Sequence, residues 1–297
     1  MILSGILAFA APRLFSVDPQ NQIWLTFEKG NAAFASREFG RALQLYKDSI
    51  SVAGIFPEAE IAIGDVYLEE GEVDLAIRQY DKAYNMRNAF YISESRFTVL
   101  LKLANLYLAQ QSYGLMEQSL LSIIAEDKHF ADTLTFKLRS QIEKNYLEKG
   151  LDRVFMLYVF DDQFAAPAHS LLGWYAYRSG RHTQAIDELL YSLISRTSEI
   201  VAFLHERDAD FEYSSLVHLL TLVSKTSEAA LFLKEIGFFK DLYYLAAATY
   251  ASGYPQTASE LWKVIAGYSA AGTYQDLSRK QLKTPWIEPL LSVPVSR

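Results

Sequence analysis

Histidine is the side chain most easily turned to acid–base or metal chemistry near neutral pH, and this chain holds five: His129, His169, His182, His205 and His218. None stands in the spacing of a helical metal site, two histidines four apart around a glutamate. The most polar cluster, His205-Glu206-Arg207-Asp208, reads as a solvated connector after a helix. Gly64, Gly71, Gly173 and Gly180 stand apart, as packing and turn glycines do, and no group of glycines precedes a Lys-Ser or Lys-Thr pair to cradle phosphate. There is no Gly-x-Ser-x-Gly elbow, and the absence of cysteine removes thiol nucleophiles, thiolate metal ligands and disulfides. The residues therefore predict no catalytic, cofactor or metal site, and the chain reads as a non-enzyme.

What such a chain offers instead is surface, and the elements that carry it announce themselves by repetition. Gly30, Ala42, Tyr46 and Ser49 return 34 residues later as Gly64, Ala76, Tyr80 and Ala83. A fixed period of this length marks stacked supersecondary units, none of which buries its apolar face alone. The spacing predicts an all-α chain, an α-solenoid of about six to seven helix pairs, in keeping with 297 residues that exceed the size of one compact core. Clear pairs are predicted over 23–50, 57–84, 97–124, 166–193 and 239–266. Between the second and third the offset is 40 rather than 34, so 85–96 holds a six-residue insertion. Degenerate pairs are read over 131–160, where Phe155 stands in place of a small residue, and over 211–236.

These boundaries divide the sequence into an apolar lead-in or signal-like segment (1–17), amino-terminal repeats (18–125), degenerate and carboxy-terminal repeats (126–272) and a proline-containing tail (273–297) in which no helix is expected to continue past Asp276. Residues 2–11 form a short apolar run ending in Ala8-Phe9-Ala10, the pattern of a signal-peptidase site, though no Lys or Arg precedes Arg13. The run predicts export to the periplasm; an apolar cap on the first helix, in a cytoplasmic protein, is the alternative. It is too short to span a bilayer. With 28 basic against 35 acidic residues and no basic stripe, nucleic acid is not an expected partner.

The skeleton Gly64, Tyr67, Gly71, Ala76, Tyr80 and Ala83 resembles the tetratricopeptide repeat. That resemblance implies a right-handed superhelix of antiparallel helix pairs whose first helices line a concave, peptide- or protein-binding face. Members that hold acidic chaperone tails use Lys and Asn on that face. Asn31 and Lys102 match such positions, but Phe27, Ala62 and Thr98 replace the others, so that clamp is broken here. The texture of residues 50–125 also resembles repeat proteins of spirochaete cell envelopes, some of which build the periplasmic collar of the flagellar motor.

Projected onto the family's concave positions, Trp24, Phe27, Asn31 and Phe34 fall together, followed by Lys102, Asn105, Trp174 and Tyr177. Aromatic anchors beside amide and charged groups suit a protein or peptide partner. The expectation is an interaction scaffold that helps assemble a larger complex in the bacterial cell envelope. A self-associating ring or collar subunit, or an accessory holding an apolar molecule in an aromatic groove, are the alternatives. Neither Asn31 nor Asn105 belongs to the repeat skeleton, so removing both is expected to weaken partner capture without lowering the melting temperature.

Overall fold

The computed structural model describes residues 19–126, 133–160, 164–225 and 227–291; the signal-like run, His129 and Pro294 lie outside them. The described residues are helical, with fifteen α-helices, two 3₁₀ turns and no strand. The chain divides into two compact units, Met1–Val99 and Leu100–Arg297.

In the first unit α1 (Pro19–Ala35) pairs with α2 (Phe39–Ala53) and α3 (Pro57–Glu69) with α4 (Val73–Asn85), and α2 packs on α3. The sequence insertion becomes a 3₁₀ turn, Arg87–Ala89, followed by the buried Phe90, before α5 (Ser95–Ala109) begins. Why glycine recurs every 34 residues is visible at once. A Cβ on Gly30 would lie 2.5 Å from the ring of Tyr46, and one on Gly64 would lie 2.6 Å from the ring of Tyr80. The tyrosine sixteen positions on lies flat on the glycine of its own pair, so Tyr80 fills the interior of its repeat rather than the space between repeats. Gly173 and Leu189 repeat the arrangement in the second unit, where the Cβ would meet Leu189 at 2.6 Å. Ala104 with Leu120 and Ala246 with Trp262 stand at the same spacing, all four buried.

The turns of the five regular hairpins close the same way. Glu38, Glu72, Ser112, Arg181 and Tyr254 donate their N–H groups to the carbonyls of Ala33, Tyr67, Tyr107, Ala176 and Thr249, five residues back. This capping geometry places the preceding residue in the left-handed region. Gly71, Gly180 and Gly253 sit there with φ of 82°, 76° and 90°, while Arg37 and Gln111 adopt it without glycine at 60° and 58°.

The second unit continues through α6 (Tyr113–Ile124), α7 (Thr133–Lys149), α8 (Leu151–Leu157), α9 (Ala166–Arg178), α10 (His182–His205), α11 (Leu216–Val223), α12 (Ser227–Glu235), α13 (Phe238–Ala251), α14 (Pro255–Ala266) and α15 (Thr273–Lys283). Two boundaries differ from the sequence reading. Helix α10 does not stop at Leu193 but runs to His205, because Ile194, Ile200 and Leu204 keep an apolar face buried and neither Gly nor Pro interrupts it. And the chain stays helical past Asp276 to Lys283, since the first proline of the tail is Pro285. Phe155, at the small-residue position, is buried in a second helix cut to seven residues. The pair α11–α12 packs on α8, α10 and α13, leaving α13 free to pack directly on α9 and α10 as their next repeat.

Buried charge holds that stack. Asp241 on α13, wholly buried, accepts hydrogen bonds from Ser170 of α9 (2.5 Å) and Ser192 of α10 (2.6 Å) and pairs with Arg196 Nε at 2.8 Å. Each carboxylate oxygen is answered from a neighbouring helix, Oδ1 by Ser170 and Oδ2 by Ser192 and Arg196, which is the condition under which a buried ion is tolerated.

Candidate functional site

The first unit offers a groove of about 230 Å³ lined by Phe27 and Asn31 of α1, Glu58, Ile61, Ala62 and Asp65 of α3, and Ser95 and Thr98 of α5. First helices of successive repeats thus present Phe27, Ala62 and Thr98 where a carboxylate clamp would need cations. Asn31 Oδ1 accepts from the Tyr46 hydroxyl at 3.0 Å and its Nδ2 donates to Glu28 at 3.3 Å. One repeat on, Asp65 accepts from the Tyr80 hydroxyl at 2.5 Å. Positions 31 and 65 are therefore the polar stops on which the repeat tyrosines end. The expectation that Asn31 lies outside the skeleton is corrected: it fixes Tyr46, which fixes the α1–α2 contact. Burial, with the charges of Asp65 and Glu28, pushes the Tyr46 phenol up to about 12. Tyr80 is pushed up further, by burial first and then by its bond to Asp65. Glu58 accepts the Tyr91 N–H at 2.6 Å. Two carboxylates and one amide give this groove a negative character, so it suits a segment that brings N–H donors or a cation.

Trp24 stands edge-on to Phe56, Tyr91 and Phe27, with ring centroids 4.9, 5.4 and 5.6 Å away. Phe34 lies against Phe39 at 5.8 Å. Both are half-buried packing residues of α1. In the second unit the side chain of Lys102 is half-buried, and Asn105 is exposed with its amide donated to the Leu101 carbonyl at 2.9 Å. Trp174 is half-buried beneath the Arg178 guanidinium and donates to Tyr244. Tyr177 is covered: its ring lies against Tyr244 at 5.7 Å and its hydroxyl accepts the Glu288 N–H at 3.0 Å.

The histidines have structural neighbours. His169 is buried with its Nδ1 2.6 Å from Glu188, and Arg139 reaches Asp187 at 2.9 Å alongside. Burial outweighs the Arg139 charge and pushes the Asp187 carboxyl up to about 6. His182 opens α10 facing Tyr177, and burial lowers its pKa. His205 ends α10 edge-on to Phe211, and His218 Nδ1 accepts the Ser214 N–H.

A second cavity, about 350 Å³, lies between α8, α10 and the 211–213 loop, lined mainly by Phe155, Met156, Tyr158, Val201, Phe211 and Tyr213. Nothing in the repeat pattern points to it, because it is made where the pattern fails. Among the described residues no single helix is long and apolar enough to cross a membrane.

Repeated helical hairpins with a groove across their first helices define an α-helical repeat protein. Residues 27–91 match the tetratricopeptide repeat family, and the amino-terminal hairpins are tetratricopeptide repeats. The chain is also similar to a protein of Treponema pallidum (strain Nichols) described as uncharacterized, 25% identical over 240 residues, which takes in 79% of this chain. The chain spans 62% of that relative's length.

Proposed function

We propose that this chain is a non-enzymatic scaffold that helps assemble a larger complex in the bacterial cell envelope, taking a partner segment in its amino-terminal groove. Tetratricopeptide repeats bind proteins, and the observation that carries the proposal is the groove itself: apolar at Phe27, Ile61 and Ala62, polar at Asn31, Asp65 and Thr98. A partner segment donating backbone N–H groups or a lysine fits those acceptors. Thr98 is exposed, so Thr98→Arg fills the groove and neutralises Asp65 with little effect on folding. Capture of the partner from the native source should be lost in that variant; undiminished capture would remove the groove from consideration. Export rests on the apolar run at 2–11. It is tested by sequencing protein from the native host, which should begin near Ala11, whereas an intact Met1 in the cytosolic fraction would overturn it.

A second reading, an accessory that holds an apolar molecule, is favoured by the cavity of about 350 Å³ beneath Phe155 and Phe211. A fluorescent fatty acid that binds wild type but not Val201→Trp would support it, and equal binding by both would refute it.

A further inference from the structure

Helix α15 ends at Lys283 and Pro285 prevents its continuation. The segment that follows does not leave the fold. Both backbone polar groups of Trp286 are gripped by Gln281, whose Oε1 accepts the Trp286 N–H at 2.9 Å and whose Nε2 donates to the Trp286 carbonyl at 3.1 Å. The Glu288 N–H donates to the Tyr177 hydroxyl at 3.0 Å, Arg178 Nε donates to the Pro289 carbonyl at 3.0 Å, and the Leu291 N–H donates to the Arg178 carbonyl at 2.8 Å. The Glu288 carboxylate lies 3.4 Å from Arg178 Nη1 and accepts from the Tyr243 hydroxyl. Trp286 and Glu288 turn inward while Ile287 and Pro289 are exposed, the alternation of an extended strand, which ends at the exposed Leu290.

This is how a groove holds a peptide. Backbone groups of a non-helical segment are met by groups of two helices, α9 and α15, which gives affinity, and one carboxylate is met by the Arg178 guanidinium and the Tyr243 hydroxyl, which gives selectivity. The segment contributes few buried apolar side chains, so its hold rests on a handful of polar contacts that an equivalent segment from elsewhere would reproduce. We propose that Tyr177 and Arg178 of α9, Tyr243 of α13 and Gln281 of α15 form a second peptide-reading surface, filled at present by the chain's own Pro285–Leu291. A partner protein that presents an extended aromatic-x-acid-Pro-Leu stretch binds there by displacing it. The proposal stands apart from the amino-terminal groove, which has the opposite electrostatic preference. Tethering gives the internal segment an effective concentration in the millimolar range, so an external peptide reaches the surface only when the segment is weakened or the partner brings additional contacts.

The test uses the full chain and a fluorescent peptide of the sequence Thr-Pro-Trp-Ile-Glu-Pro-Leu-Leu, that of residues 284–291. Glu288→Lys sets two cations against each other and releases the internal segment; the peptide should bind this variant at least tenfold more tightly than wild type. Adding Arg178→Glu restores an ion pair with the new lysine, recloses the surface and should abolish the gain. Equal peptide binding by wild type and Glu288→Lys would overturn the proposal. Should the variant fold poorly, hydrogen exchange on the wild-type chain decides: millimolar peptide should accelerate exchange at the Trp286, Glu288 and Leu291 amides, and unchanged rates would overturn it. A wild-type dimer that Glu288→Lys abolishes would place the segment of a second copy on the surface and refute internal occupancy.

Discussion

The two units solve the same packing problem with different chemistry. In the first, an aromatic ring lies on a glycine and ends on a polar stop, Tyr46 on Asn31 and Tyr80 on Asp65, and the surface between first helices is left open. In the second, the corresponding contacts involve leucine and tryptophan, the helices are bound together by Asp241, Arg196, Ser170 and Ser192, and the surface beside α9 is filled by a segment of the same chain. Strict periodicity holds each hairpin together with a ring on a glycine and one polar stop per repeat. Where the period lapses, through the extension of α10 and the interposed α11–α12 pair, buried charge specifies which helices meet.

Breaking either device should be costly. Asp241→Ala leaves Arg196 buried without its carboxylate, and urea denaturation should show a loss of about 3–5 kcal/mol. Replacing both partners, Asp241→Leu with Arg196→Met, should recover much of it; a double variant as unstable as the single would show that shape, not charge, joins α9, α10 and α13. In the first unit Tyr80→Ala should lose a comparable ~3–5 kcal/mol by leaving a cavity over Gly64. Retention of wild-type stability there would refute the ring-on-glycine account.

A pH titration of stability sharpens the contrast, because it concerns the second unit. Asp187 has its carboxyl pushed from the ordinary aspartate range up to about 6 by burial. Between those values the folded state holds the proton that the unfolded state has released, so the contribution of Asp187 to stability is full below about 4 and is lost as pH rises through about 6. Asp187→Asn should flatten that fall, measured as melting temperature against pH; a slope unchanged by the substitution would mean that other carboxyls carry it.

Smaller effects test the polar stops and the turns. Asn31→Ala and Tyr46→Phe should each cost about 0.5–1.5 kcal/mol, and the double variant less than their sum, since each removes one end of the same hydrogen bond. Strict additivity would mean that the bond contributes nothing. Arg37→Gly and Gln111→Gly, at left-handed turn positions, should each stabilise by about 0.5–1 kcal/mol in thermal melts. A loss instead would show that the side chain's own contacts outweigh the backbone strain.

The fold was largely legible because the repeat is a volume code: small and aromatic residues recurring at Gly64, Ala76 and Tyr80 mark the hairpins, although the spacing alone suggested that Tyr80 fills the gap between pairs, not that it lies on Gly64 of its own pair. The left-handed turns at Gly71, Gly180 and Gly253 were legible for the same reason, whereas Arg37 and Gln111 carry no mark of theirs. The site was less so. A polar residue on a first helix looks equally like a contact for a partner and a stop for a tyrosine, and only the recurrence of Asn31 as Asp65, beside Tyr46 and Tyr80, hinted at the second. Tyr177 was picked out as an aromatic on a first helix, but what covers it comes from more than a hundred residues away and has no period. Three prolines made the tail read only as a place where no helix continues. Pro285 fixes only where the helix stops; the inward turn of Trp286 and Glu288 depends on Gln281 and Arg178, which no local pattern connects to them.

One measurement bears most directly on the contrast between an open and a filled groove. A photo-crosslinking phenylalanine analogue is placed at Thr98 or at Leu290 of the full chain in its native host, and the adducts are mapped by mass spectrometry. The account predicts that Thr98 yields adducts to another protein, and that Leu290, which lies 3.5 Å from where a Gly180 Cβ would be, yields adducts within the same chain around Arg178–Gly180. Adducts to another protein from Leu290 alone, with none from Thr98, would contradict it.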